Sequence, residues 1–186
     1  MKRLLFLILI ASVVGVIAFL GFKLVRGNAE KERIQARIQT LPEFRFTTLS
    51  GQTFTDRNIP DSMPVAIIHF LPDCHYCQGE AREIARNSKL FGTARILMVS
   101  MASTEEIRAF GREYGIDTLQ SVTLLADTEK NFGNTFGTVN VPVTFAYSAQ
   151  HRLAKQFSGE TSAQALYKAL SSISERSHSH ISLSNP

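Results

Sequence analysis

Tryptophan is absent from this 186-residue chain, and cysteine occurs only twice. Two thiols do not make a structural zinc site, which needs about four ligands. No second Cys-x-x-Cys and no His-x-x-x-His pair is present to complete one, and His69, His75, His151, His178 and His180 are scattered along the chain. Internal repeats are missing too. The chain also lacks a basic surplus where a nucleic-acid surface would need it. Overall there are 20 Lys and Arg against 16 Asp and Glu, a formal charge of +4 and a pI near 9.3. Between Leu41 and Glu175, however, twelve basic residues face fourteen acidic ones, a balance of −2. The surplus sits near the N-terminus, where it suits anionic lipid head groups better than a phosphate backbone. No nucleic-acid partner is expected.

That N-terminus carries one long apolar run. Leu4 to Phe22 is nineteen residues without a charge, and at about 1.5 Å per helical residue it reaches close to the roughly 30 Å of a bilayer's hydrocarbon core. A cleaved signal peptide competes with this reading, because Met1-Lys2-Arg3 resembles a basic n-region and Gly27-x-Ala29 a cleavage site. The run exceeds an h-region of ~7–15 residues, which favours an uncleaved anchor spanning the lipid bilayer through residues 4–22. Counting flanking Lys and Arg would keep the following domain in the cytoplasm, yet a short basic segment before a first apolar span is the layout of an export signal. The expectation is a single-pass protein of the cytoplasmic membrane with its domain facing the periplasm.

The remainder divides into a charge-rich stalk or linker over 28–40, one domain over 41–173 and a Ser- and His-rich disordered tail over 174–186. Phe44, Phe46 and Thr48 alternate towards the Ser50-Gly51 turn, and Gln52 to Thr55 completes a small hairpin. Val65 to Leu71 is nearly continuous apolar sequence, interrupted by His69, and suits a strand buried on both faces. A helix over Cys74 to Phe91 follows, with Cys77, Ala81, Ile84, Ala85 and Ser88 on its inner side and Glu80, Arg82, Glu83 and Arg86 turned elsewhere. Strand Arg95 to Ser100, a helix capped near Ser103 and ending near Gly115, strand Val122 to Ala126, and a helix over Thr128 to Phe136 come next. Val143 to Tyr147 and Arg152 to Ser158 form an antiparallel pair, and Ser162 to Ile173 a last helix. The fold class is α/β, with a mixed sheet flanked by helices.

Both cysteines fall at one strand-to-helix junction, Cys74-His75-Tyr76-Cys77. A sulfur at a helix start meets unpaired amides and the positive end of the dipole, which favour a nucleophilic thiolate. A second sulfur one turn on can attack a mixed disulfide formed by the first and release the product. Metal binding, and two ordinary buried cysteines, are the other readings of the pair. A buried pair would not need the hydrophilic step Asp73-Cys74-His75. His69, inside an apolar strand, reads as a core or sheet-edge histidine, and His178 and His180 as part of a solvated tail.

The strand Val65 to Leu71, the junction Pro72 to Cys77 and the later Val141-Pro142-Val143-Thr144-Phe145 resemble the active-site motif and cis-proline strand of the thioredoxin-like superfamily, over about Leu41 to Ile173. Cys74-x-x-Cys77-x-x-Glu80 behind an anchor is similar to the TlpA/ResA branch of the redoxin group. That resemblance implies a thioredoxin-like sheet and a catalytic set of Cys74, Cys77, Glu80 and Pro142, with Val141-Pro142 cis and no cofactor or metal. It also implies protein clients with disulfides or thiols, a membrane thiol as electron donor, and a reductase role of the kind that serves cytochrome c maturation. There are departures. Asp73 replaces the tryptophan common before the first cysteine, and Ile68 stands where thioredoxin has a buried aspartate, leaving Glu80 as the acid–base candidate. A peroxiredoxin-like peroxidase is the enzymatic alternative, although Leu71 occupies the place of the threonine expected three residues before a peroxidatic cysteine. A copper carrier of related fold would be expected to use a wider cysteine spacing and a distal histidine. His151 reads instead as an exposed turn residue.

Overall fold

The computed structural model describes residues 30–171, with Gly15, Phe19, Phe22 and Lys23 besides. Most of the apolar run Leu4 to Phe22, and the tail over 174–186, lie outside the described residues. Among the described residues no helix is long and apolar enough to cross a membrane. The chain divides into two compact units, Met1–Ala36 and Arg37–Pro186. In the first, residues 30–36 are helical. In the second, Ile38 is fully buried and Thr40 bridges Arg152, so ordered packing begins ahead of Leu41.

The second unit is built on a seven-stranded mixed sheet. Its strands are β1 (Arg45–Thr48), β2 (Thr53–Thr55), β3 (Val65–His69), β4 (Arg95–Ser100), β5 (Val122–Ala126), β6 (Val143–Tyr147) and β7 (Leu153–Ser158), in the order β2-β1-β5-β4-β3-β6-β7. β3, β4 and β5 run parallel, whereas β1, β6 and β7 pair antiparallel with their neighbours. The apolar runs of β3 and β4 are explained by this position, since a parallel strand covered on both faces has no solvent side to supply with polar residues. The N-terminal hairpin extends the same sheet through Thr47 and Thr48 opposite Ala126 and Leu125.

Alternation sorts side chains into two layers. Ala66, Ile68 and Phe70 share one core with Ile96, Met98, Leu124 and Ala146, and with the helices α1 (His75–Arg86), α2 (Thr104–Tyr114) and α4 (Ala163–Ser171). On the other face Phe145 packs its ring on Phe132 and Phe136 of the short helix α3 (Phe132–Phe136), at centroid separations of 6.3 and 4.9 Å. Burying each such aromatic contributes roughly 1.5–3 kcal/mol.

Local chemistry sets the helix limits. Ser103 caps α2 in a reciprocal box, its Oγ accepting from the Glu106 amide at 3.3 Å while Glu106 Oε2 accepts from the Ser103 amide at 2.9 Å. Gly115, at φ 66°, ends that helix in the left-handed conformation that glycine tolerates. The helix expected from Thr128 starts only at Phe132, because the Asp127 carboxylate accepts from the amides of Asn131 and Phe132, each at 2.9 Å, and caps the chain there. The helix expected to reach Phe91 stops at Arg86. Asn87 Nδ2 donates to the Glu83 carbonyl at 2.9 Å, and a 3-10 turn over Ser88–Phe91 follows.

Candidate active site

The end of β3 delivers the chain to both cysteines. The Phe70 amide donates to the Val99 carbonyl at 3.0 Å, which carries the pairing with β4 one residue further, and the Cys74 amide closes a turn onto the Leu71 carbonyl at 3.1 Å. Gln78 Nε2 donates to the Pro72 carbonyl at 3.0 Å, so the helix holds the loop that precedes it. Cys74 is the N-cap of α1, and its Sγ accepts from the Cys77 amide at 3.3 Å. Capping is ordinarily done by a hydroxyl or carboxylate oxygen; here a thiol sulfur has that place.

The two sulfurs occupy unlike surroundings. Both are free thiols, Cys74 half-buried and Cys77 fully buried. Burial, the larger cause, and the hydrogen bond shared with Cys74 push the Cys77 thiol well above the usual thiol range. Asp73, His75 and Tyr76 around Cys74 are exposed, Tyr76 by 62%. Cys74 thus keeps part of its surface open to solvent, whereas Cys77 keeps none.

Glu80 corrects the sequence reading. The pattern expects it turned away from the inner side with Arg82, Glu83 and Arg86, but it is 0% exposed and lies on the buried face with Cys77, Ala81 and Ile84. Thr144 Oγ1 donates to Glu80 Oε1 at 3.0 Å, and Oε2 is a buried oxygen without a hydrogen-bond partner among the described residues. Burial pushes the carboxyl up to about 8. The Thr144 bond acts in the opposite direction, and the charge of Glu160 adds to the rise. A carboxyl in that range can take a proton or give one near neutral pH, unlike an ordinary glutamate.

Pro142 lies at the head of β6, one residue before the Val143–His69 pairing with β3. Its peptide bond with Val141 is cis, as the resemblance implied. Its carbonyl accepts from the Gly159 amide at 2.9 Å. β6 runs antiparallel to β3, so Pro142 and the loop leading to Cys74 leave the sheet at the same end. Val141 and Cys74 border the same core cluster. The structure thus gathers Cys74, Cys77 and Glu80 on one helix and places Pro142 at the adjoining strand end.

His69 stays with the core. It is fully buried and stacked on Phe132 at 4.3 Å, and burial lowers its proton affinity. Its Nδ1 lies 3.1 Å from the Asn140 carbonyl, which can only accept, so the neutral ring carries its proton on Nδ1. His151 sits in a turn at φ 55° and is half-buried rather than exposed. Among the described residues no group of three or more His, Cys, Asp or Glu could hold a metal ion. The sequence reading missed Thr144 and Glu160 as neighbours of Glu80. Thr144 had a signal, being the one polar residue in an otherwise apolar strand. Glu160, distant in sequence from α1, had none.

Residues 38–156 match the AhpC/TSA family. No curated protein gives a significant match. Among solved structures, MTB dsbF in its mixed oxidized and reduced forms is 21% identical over 74% of this chain and 97% of its own, with a TM-score of 0.61. A thiol:disulfide interchange protein of the thioredoxin family from Chlorobium tepidum is 14% identical over 73% of this chain and 96% of its own, at 0.60. Peroxidoxin BcpB from Mycobacterium tuberculosis is 18% identical over 72% and 95%, at 0.61. Likenesses at these identities establish a shared fold.

Proposed function

The chain belongs to the AhpC/TSA family of thioredoxin-like oxidoreductases, and from that premise we propose that it exchanges disulfides with extracytoplasmic protein clients through Cys74 and Cys77, as a membrane-anchored reductase. The observation that carries this reading is the asymmetry of the pair: an accessible sulfur capping a helix, and a buried thiol one turn behind it beside a carboxyl that titrates near neutral pH.

The Cys74 thiolate attacks one sulfur of a client disulfide, forming a mixed disulfide and releasing the first client thiolate. Glu80, when ionised, then accepts the Cys77 proton. The resulting thiolate attacks Cys74 Sγ, the enzyme disulfide forms, and the second client thiolate leaves. The client gains two electrons and the enzyme loses them, to be restored by a membrane thiol donor. Pro142 offers no amide hydrogen, which leaves the neighbouring strand edge free to pair with an extended client.

Anchoring rests on the uncharged run Leu4 to Phe22, and a periplasmic domain on the short basic segment ahead of it. The reductase direction and service to cytochrome c maturation rest on the resemblance of Cys74-x-x-Cys77-x-x-Glu80 to the TlpA/ResA branch.

The test is turnover of insulin disulfides by the full chain in detergent, driven by dithiothreitol. The expected result is a rate above the dithiothreitol background that disappears when both cysteines are replaced by serine. No rate above background would overturn the reading. A peroxidase is the second reading, favoured by the family match and by the likeness to peroxidoxin BcpB. Hydrogen peroxide consumed much faster than insulin is reduced would establish it instead.

A further inference from the structure

Gly79 lies on α1 between Cys77 and Glu80, and the place where a side chain of residue 79 would begin is filled by the carboxylate of Glu160, whose Oε2 stands 3.1 Å from it. Glu160 comes from the turn between β7 and α4. That turn is fixed on both sides: the Gly159 amide, at φ 91°, donates to the Pro142 carbonyl, and Thr161 is buried. The segment that engages Pro142 therefore also lays an exposed carboxylate on the cysteine helix, next to the residue whose side chain is the buried carboxyl.

A second carboxylate at this position is not neutral in its effect. The charge of Glu160 opposes ionisation of the buried carboxyl. The groups facing Glu80 are Cys77 on its own helix, Thr144 from β6 and Glu160 from the turn. Thr144 favours the ionised form, while Cys77, once a thiolate, and Glu160 favour the protonated one.

We propose that Glu160 is a positioning residue for Glu80: seated in the gap left by the missing side chain of Gly79, it holds the proton on the buried carboxyl and so sets the pH at which the Cys77–Glu80 pair exchanges it. This deepens the thiol-exchange reading above and rests on it for its functional meaning. It gives Gly79 a reason as well. Any side chain there would displace the Glu160 carboxylate, which is the end of a flexible, exposed side chain and can swing away at little cost. Gly79→Ala thus moves that charge away from Glu80 by a different route, on a helix that alanine favours over glycine.

The experiment follows the Glu80 side-chain carboxyl by carbon-13 NMR in the reduced full-length protein in detergent micelles, with Glu80→Gln to assign the signal. In Glu160→Gln the Glu80 midpoint should fall by roughly 0.5 pH unit, as expected for losing one partly screened neighbouring charge. Gly79→Ala should move it the same way, and about 1 M salt should shrink the difference. A midpoint unchanged in Glu160→Gln, or moved only by Gly79→Ala, would overturn the proposal. Insulin turnover by the wild-type sample is a separate readout: its absence would remove the thiol-exchange function and leave the coupling of the two carboxyls standing.

Discussion

Thr144 Oγ1 donates to Glu80 Oε1 at 3.0 Å and so ties the strand that follows Pro142 to the helix that begins at Cys74. The bond acts on a group whose burial works against it. Desolvation raises the proton affinity of Glu80, the hydroxyl donor lowers it, and burial prevails, leaving the carboxyl at about 8. Thr144 thus limits how far the site departs from ordinary carboxylate chemistry.

Thr144→Val keeps the shape of the strand and removes the donor. The ionised form of Glu80 loses its partner, so its midpoint should rise further. Unfolding in urea should show a loss of about 1–3 kcal/mol at pH 9.5, where Glu80 is charged, and a smaller one at pH 6. Equal losses at both pH values would show that Thr144 acts only through packing.

Glu80 itself should impose a pH dependence on stability. Its carboxyl has an ordinary value of 4.5 and stands at about 8 in the folded chain. Between those values the folded protein binds more protons than the unfolded one, so stability falls as pH rises through that window. The contribution is fully present below about pH 4.5 and lost above about pH 8. Glu80→Gln should lack this slope, so the variant should gain on the wild type by an amount on the order of a few kcal/mol between pH 5 and 9. A stability difference that does not change with pH would contradict the assignment.

Much of this arrangement is legible in the sequence, and the exceptions share a cause. The apolar run of β3, the switch to helical spacing at Cys74 and the cap at Ser103 are local signals, and each stands where the pattern placed it. Glu80 departs from expectation because a carboxylate ordinarily faces water, whereas here helix position decides. Cys77, Glu80, Ala81 and Ile84 follow the i, i+3, i+4, i+7 spacing of one helix face, and the structure obeys the spacing. The late start of α3 depends on Asp127 reaching forward to two amides, a capping interaction that the apolar pattern alone did not reveal. Glu160 meets Gly79 only through the tertiary fold.

Away from the site, Ser103→Ala should remove the hydroxyl half of the α2 capping box, leave the backbone amide bond to Glu106, and cost about 1 kcal/mol. Denaturant unfolding should show the loss, while the rate of Cys74 alkylation stays at its wild-type value. A capping contribution is absent if the midpoint does not move.

The orientation across the membrane has its own measurement. A membrane-impermeant maleimide applied to intact cells after mild reduction should modify Cys74. Labelling seen only after lysis, with the folded thiol shown to be accessible, would place the domain on the cytoplasmic side.

Covalent trapping reports which of the two sulfurs attacks the client and which resolves the mixed disulfide. With Cys77→Ser, incubation with a disulfide-bearing client should leave a stable mixed disulfide through Cys74, seen as a dithiothreitol-sensitive adduct on a non-reducing gel. With Cys74→Ser no adduct should accumulate, because the remaining thiol is buried and its proton tightly held. An adduct formed through Cys77 in the Cys74→Ser variant would reverse the roles of the two cysteines.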